Sequence, residues 1–92
     1  MAEDRAVPIV SDDEIAAAIL ELCEKRGRAK TICPSDAART LRPDGDVWRG
    51  LMPDVRRVAG TLVQDGRIEA TQRGSAVDPV EARGPIRLGL KR

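Results

Sequence analysis

The residues best suited to chemistry in this chain are arginines, and their spacing concentrates them in two places. Arg49, Arg56, Arg57 and Gln64 fall on one flank of an amphipathic segment spanning 46–65, counted at about 100° per residue, while Asp54 and Asp65 fall on the other. Arginine can fork onto the O6 and N7 of guanine or clamp a phosphate, and glutamine can pair with adenine. Downstream, Arg73 and Arg83 lie in a loop punctuated by Gly74, Asp78-Pro79 and Gly84, with Arg87 just beyond it. These residue types in this pattern suit a helix that enters the major groove and a hairpin whose Arg73 and Arg83 grip the backbone. The plainer reading is a solvated helix face and an ordinary polar loop. Asp78 and Glu81 dilute the loop's charge, and Asp54 and Asp65 would repel a nearby phosphate. On the preceding helix, Arg39 and Arg42 could touch phosphate, though Asp36 is within reach of Arg39 three residues on.

Catalysis has little to stand on. The chain has no histidine, no nucleophile beside a plausible base, and no Gly-x-x-x-x-Gly-Lys phosphate loop. The run Asp12-Asp13-Glu14 is better explained as the charged first turn of a helix than as a carboxylate site. Cys23 and Cys33 form no Cys-x-x-Cys motif and have no histidine to complete a zinc site, so no metal and no cofactor is expected. Their apolar contexts fit buried, unpaired thiols. The expectation is a protein that is not an enzyme. With no apolar run near the ~18 residues of a membrane span and no signal-peptide core, a cytoplasmic location with reduced thiols and no membrane partner is expected.

The elements that must carry these residues follow from periodicity. Residues 1–10 read as a flexible lead and 11–90 as one folded domain. Ser11 with Glu14 is a capping box for a first helix, whose Ile15, Ala18, Ile19, Leu22 and Cys23 recur on one face and which Gly27 stops. Thr31-Ile32-Cys33 is β-prone. Ser35 is expected to cap a short second helix with Ala37, Ala38 and Leu41 inward, ended by Pro43 and Asp44-Gly45. Asp46 can cap a third helix whose Trp48, Leu51, Met52, Val55, Val58, Ala59, Leu62 and Val63 share an arc of roughly 140°. Pro53 either kinks this helix or separates a first turn from a main helix starting near Pro53; the apolar phase continues across it, which favours a kink, and Gly66 ends the helix. Trp48, the only aromatic residue, is expected in the core at the middle of that arc. Mid-helix Gly60, on an exposed flank, suggests a close approach by another segment. Strands follow at 67–73 and from Pro85 to Leu88.

Ninety-two residues allow one domain with a small, aliphatic core. Without Phe or Tyr there is no platform for stacking single-stranded bases. The net charge of +1 hides an asymmetry, −6 over residues 1–24 and +7 over 25–92. A split molecule can still present a positive face, but the near-neutral total argues against strong indiscriminate DNA binding.

The succession Ser35-Asp36-Ala37-Ala38-Arg39, Trp48, Leu51-Met52, Val55-Arg56, Ala59, Leu62, Gly66, Ile68, Thr71-Gln72-Arg73-Gly74 and Gly84-Pro85-Ile86-Arg87-Leu88 resembles a family of small bacterial proteins of unknown function, assigned by similarity to the winged-helix superfamily. The resemblance covers residues 11–88 and implies an α+β winged helix-turn-helix: three helices plus a small antiparallel sheet with one wing. It brings no activity, ligand or site residues. On that fold the leading expectation is DNA binding, regulatory or sequence-tolerant, with double-stranded DNA as partner. The alternative is a protein-interaction module without nucleic acid. With no further helix after Leu88, a monomer is favoured.

Overall fold

A computed structural model describes residues 9–91; of the lead expected at 1–10, residues 1–8 lie outside the described residues. Three helices and a three-stranded antiparallel sheet make up an α+β arrangement consistent with a winged helix. Helix α1 spans Asp12–Arg26, α2 Pro34–Leu41 and α3 Met52–Gln64; strands β1, β2 and β3 span Ile68–Gln72, Ser75–Ala76 and Arg87–Leu90.

Helix α1 begins as its sequence requires. The Glu14 amide donates to the Ser11 hydroxyl at 3.1 Å and the Ser11 amide donates to the Glu14 carboxylate at 2.9 Å, a complete capping box. Gly27 closes the helix at φ 88°, a conformation that costs a residue with a Cβ much more.

The start of α2 corrects one expectation. Cys33, not Ser35, is the N-cap, and Pro34 occupies the first helical position. Proline's fixed φ suits that position and its missing N–H has no bond to lose there. Asp36 then reaches back, accepting from the Cys33 amide at 3.0 Å.

The segment around Pro53 corrects another. There is no kinked single helix. Val47–Leu51 forms a separate 3-10 turn, and α3 begins at Met52 with Pro53 in its first turn, where no intrahelical donor is needed. The apolar phase survives because both pieces face the same core. At its other end, the Gly66 amide donates to the Val63 carbonyl and the Arg67 amide to the Leu62 carbonyl, both at 3.0 Å, which satisfies the last carbonyls.

Strand β1 is central. It pairs with β3 from Ile68 opposite Leu90 to Thr71 opposite Arg87, and with β2 through Thr71 opposite Ala76 and Gln72 opposite Ser75. The β-prone 31–33 segment contributes a single bridge: Ile32 and Leu88 exchange both backbone bonds at 2.8 Å.

The core lies between the helices and one sheet face. Ile15, Ile19 and Cys23 of α1, Ala37 and Ala38 of α2, and Val55, Val58, Ala59 and Leu62 of α3 close over Ile32, Ile68, Ala70, Ile86 and Leu88. Each large aliphatic side chain buried this way contributes about 1.5–3 kcal/mol. Among the described residues no polar or charged side chain is buried, so little desolvation opposes that gain. Trp48 is not at the centre of this core. It is half-buried on the 3-10 turn and packs against the rim. Of the thiols, both free, Cys23 is buried as expected and Cys33 is only half-buried. Burial pushes the Cys23 thiol above its ordinary pKa, with the Glu24 charge adding to the effect.

Candidate functional site

The six arginine and glutamine positions singled out by the sequence do not form one surface. The α3 arginines are engaged within the fold. Arg56 is half-buried, and its guanidinium donates to three carbonyls of the loop after β2: Pro79 at 3.3 Å, Ala82 at 2.8 Å and Gly84 at 2.6 Å. It acts as a clamp on that loop. Arg57 faces the other way. It makes a bidentate pair with Asp12 of α1, both contacts at 2.9 Å, and a further contact with Asp54 at 3.2 Å. The Arg57 guanidinium beside Asp12 holds that carboxyl below the usual carboxylate range, and the two carboxylates hold Arg57 in its charged form. Asp12 thus has a tertiary partner besides its place in the first turn of α1.

Arg49, on the 3-10 turn, lies 3.7 Å from Asp46 in an exposed pair of little energetic weight. Its guanidinium sits 4.6 Å from the centre of the Trp48 ring, and Arg39 sits at the same distance. Arg39 therefore stacks on Trp48, while the Asp36 carboxylate accepts from the Cys33 amide. Two guanidinium contacts on a half-buried ring leave it poorly placed to stack on a base. Gln64 is exposed at the end of α3.

The flank of α3 that carries Arg56 is covered. Val77 bonds to Ala70, and Asp78 then holds a tight turn, its carboxylate accepting from the Val80 amide at 2.8 Å and its carbonyl from the Ala82 amide at 2.9 Å. The turn sets Pro79 fully into the interior and brings Val80 over Gly60. A Cβ at position 60 would lie 3.1 Å from Val80 Cγ2, so Gly60 is the close approach its mid-helix position suggested, but it is buried rather than exposed. The outward face of α3 is left with Asp54, Arg57, Thr61 and Gln64, a mixed-sign set.

The hairpin arginines are arranged differently. Arg73, Arg83 and Arg87 line a cleft of about 420 Å3 together with Gln72, Gly84 and Pro85. No carboxylate lines it. Neither the Arg73 nor the Arg83 side chain has a hydrogen bond or ion pair among the described residues. Arg87 is fixed: its Nε donates to Thr31 Oγ1 at 2.9 Å, Nη2 to the Thr31 carbonyl at 3.1 Å and Nη1 to Cys33 Sγ at 2.8 Å.

Arg73 and Gly74 join β1 to β2 in a two-residue turn with φ values of 55° and 84°, the pair of positive φ angles a type I′ hairpin uses. Arginine in that conformation costs about 1–2 kcal/mol where Asn or Gly would cost less. Gln72, to which the sequence gave no role, shapes the cleft wall. Its Nε2 donates to the Arg83 carbonyl at 2.6 Å and the Pro85 carbonyl at 3.1 Å. The Gly84 carbonyl between them is the one Arg56 takes. Only the turn residues around it hinted at this: a chain that must return to β3 needs side-chain donors for its loop carbonyls.

Among the described residues no group of three or more His, Cys, Asp or Glu is placed to hold a metal ion, and no helix is long and apolar enough to cross a membrane. A comparison with curated proteins finds no match. The family model described as a protein of unknown function (DUF3253) matches residues 12–91, which takes in every element from α1 to β3 and the arginine cleft, and the chain belongs to that family.

Proposed function

We propose that this domain binds double-stranded DNA through the phosphate backbone, with the hairpin rather than α3 as the principal contact. The supporting observation is the division of the arginines. Arg56 and Arg57 are tied to loop carbonyls and carboxylates, whereas Arg73 and Arg83 stand on a cleft with no carboxylate and no partner among the described residues. Arginine is the side chain best matched to phosphate oxygens, and such contacts fix position without reading sequence. The element order, consistent with a winged helix, supports the same reading, since hairpins of that fold serve as backbone-contacting wings. Binding of this kind is sequence-tolerant and micromolar or weaker at physiological salt.

The test is a titration of random-sequence duplex at several salt concentrations. Three to four phosphate contacts give a slope of log affinity on log salt of about −3. The double substitution Arg73→Ala with Arg83→Ala reduces that slope by about 2. Arg57→Ala leaves it unchanged. Duplex binding that is undetectable at low salt, or unaltered in the double variant, overturns the reading. A protein-docking module is the second reading. It is favoured by the mixed-sign outward face of α3 and by the exposure of Val47 and Val80, at 50% and 55%. Absence of duplex binding at low salt would leave it standing.

A further inference from the structure

The cleft at the base of the hairpin has a chemistry narrower than that of a general basic surface. It is lined by three arginines and no carboxylate. Three backbone carbonyls of its wall already accept from side chains: those of Arg83 and Pro85 from Gln72, that of Gly84 from Arg56. The Arg87 guanidinium is held in one orientation by Thr31 and Cys33, which use three of its five N–H donors and leave two. Arg73 lines it from a hairpin turn at φ 55°, a conformation that L side chains rarely adopt. A volume of about 420 Å3 falls in the range of small-molecule sites, so a phosphate can enter with the group that carries it.

We propose that this cleft is a phosphomonoester site, selective for the dianionic phosphate of an ester end over the monoanionic phosphate of a diester. A backbone diester brings one charge and two free acceptor oxygens, which these arginines can take, but three cations without a counter-charge are matched more fully by a dianion. A monoester brings about −1.5 to −2 at neutral pH and three acceptor oxygens, enough for bidentate contact with one arginine and a further contact with another. The inference rests on the same arginines as the DNA reading and sharpens what they take. The ester can come from the 5′ end of a strand or from a free small molecule.

The experiment is calorimetric titration of the full chain with ribose 5-phosphate, with dimethyl phosphate, and with one duplex carrying either 5′-phosphate or 5′-hydroxyl ends. Ribose 5-phosphate is expected to bind at least about tenfold more tightly than dimethyl phosphate. Its affinity should rise about tenfold from pH 5 to pH 7, because the second proton of the ester leaves near pH 6 while the arginines stay charged. Arg73→Ala and Arg83→Ala should each weaken it about tenfold with melting temperatures no lower than wild type, and Arg49→Ala should leave it unchanged. Tighter binding of the 5′-phosphate duplex assigns the ester to a strand end. Equal binding of the two duplexes, with ribose 5-phosphate bound, assigns it to a small molecule. No binding of ribose 5-phosphate at about 10 mM, equal binding of the diester, or a flat pH profile overturns the inference. Duplex binding without ester binding overturns this inference and leaves the DNA reading intact; ester binding without duplex binding does the reverse.

Discussion

Arg56 on α3 gives its guanidinium to the carbonyls of Pro79, Ala82 and Gly84, whereas Arg83, inside that same loop, gives its own to nothing among the described residues. The two side chains have the same charge and the same planar fork. Their difference comes from what the fold brings to them. The Asp78 turn delivers a row of carbonyls to one flank of α3, and the only donor on that flank able to satisfy three of them is an arginine. The same arrangement turns Arg83 and Arg73 toward a cleft that no carboxylate lines. Helix α3 is therefore the scaffold of the loop after β2, and the guanidinium groups without partners among the described residues stand on that loop and on the hairpin turn.

The strongest way to break this comparison is to remove the clamp. Arg56→Ala leaves three loop carbonyls without their donor and should cost about 2–3 kcal/mol in urea unfolding. Arg83→Ala should stay within about 0.5 kcal/mol of wild type. Arg56→Lys should recover less than half of the loss, because an ammonium cannot span carbonyls arranged for a fork. Equal costs for Arg56→Ala and Arg83→Ala would erase the distinction between the two regions.

A second way attacks the same contact from the helix side. Gly60→Leu forces the Val80 loop away from α3 and should destabilise by about 2 kcal/mol. Gly60→Ala should change stability by less than about 0.5 kcal/mol, since the gain in helix propensity offsets a 3.1 Å contact that exposed Val80 can relieve. If Gly60→Leu is neutral in thermal unfolding, the loop does not rest on α3.

The opposite sign is expected on the hairpin. Arg73→Asn places a residue that tolerates φ 55° at the turn and should raise stability by about 1 kcal/mol while removing a cation from the cleft. A fall in stability would mean that the arginine side chain contributes to the hairpin and is not held there against its backbone preference.

The smallest effect concerns the other α3 arginine. Arg57 lowers the pKa of Asp12 in the folded state, so the pair's contribution is present above the ordinary carboxylate value of 3.8 and is lost as pH falls below it. Melting of the wild type and of Asp12→Asn should differ slightly at pH 6 and converge between pH 4 and pH 2. A gap that persists at pH 2, where Asp12 is uncharged, would show that its contribution does not come from the ionised pair with Arg57.

The legible features of the chain were those whose partners are near in sequence. Ser11 and Glu14 are three residues apart, and their capping box is present in full. The aliphatic period of 15–23 marks the buried face of α1. Alternation marked β1, and glycines marked the helix ends. The same local logic failed at Pro53 and at Ser35. In both places a continuous apolar or polar pattern was compatible with two backbone paths, and proline's missing N–H selected the one that puts it in a first turn. Trp48 was read from a helical count that the 3-10 turn does not obey, which moved it from the core centre to the rim.

By itself, then, the sequence determined the three helices and the two longer strands in their order, the aliphatic core and the density of arginine along α3 and the hairpin. Which arginines stay available only the tertiary structure decided. Arg56 meets Pro79, Ala82 and Gly84 across more than twenty residues, and Arg57 meets Asp12 across forty-five. A guanidinium commits to whichever acceptors lie within about 3 Å of it. Periodicity gives the face an arginine occupies, but folding alone sets the acceptors that arrive there.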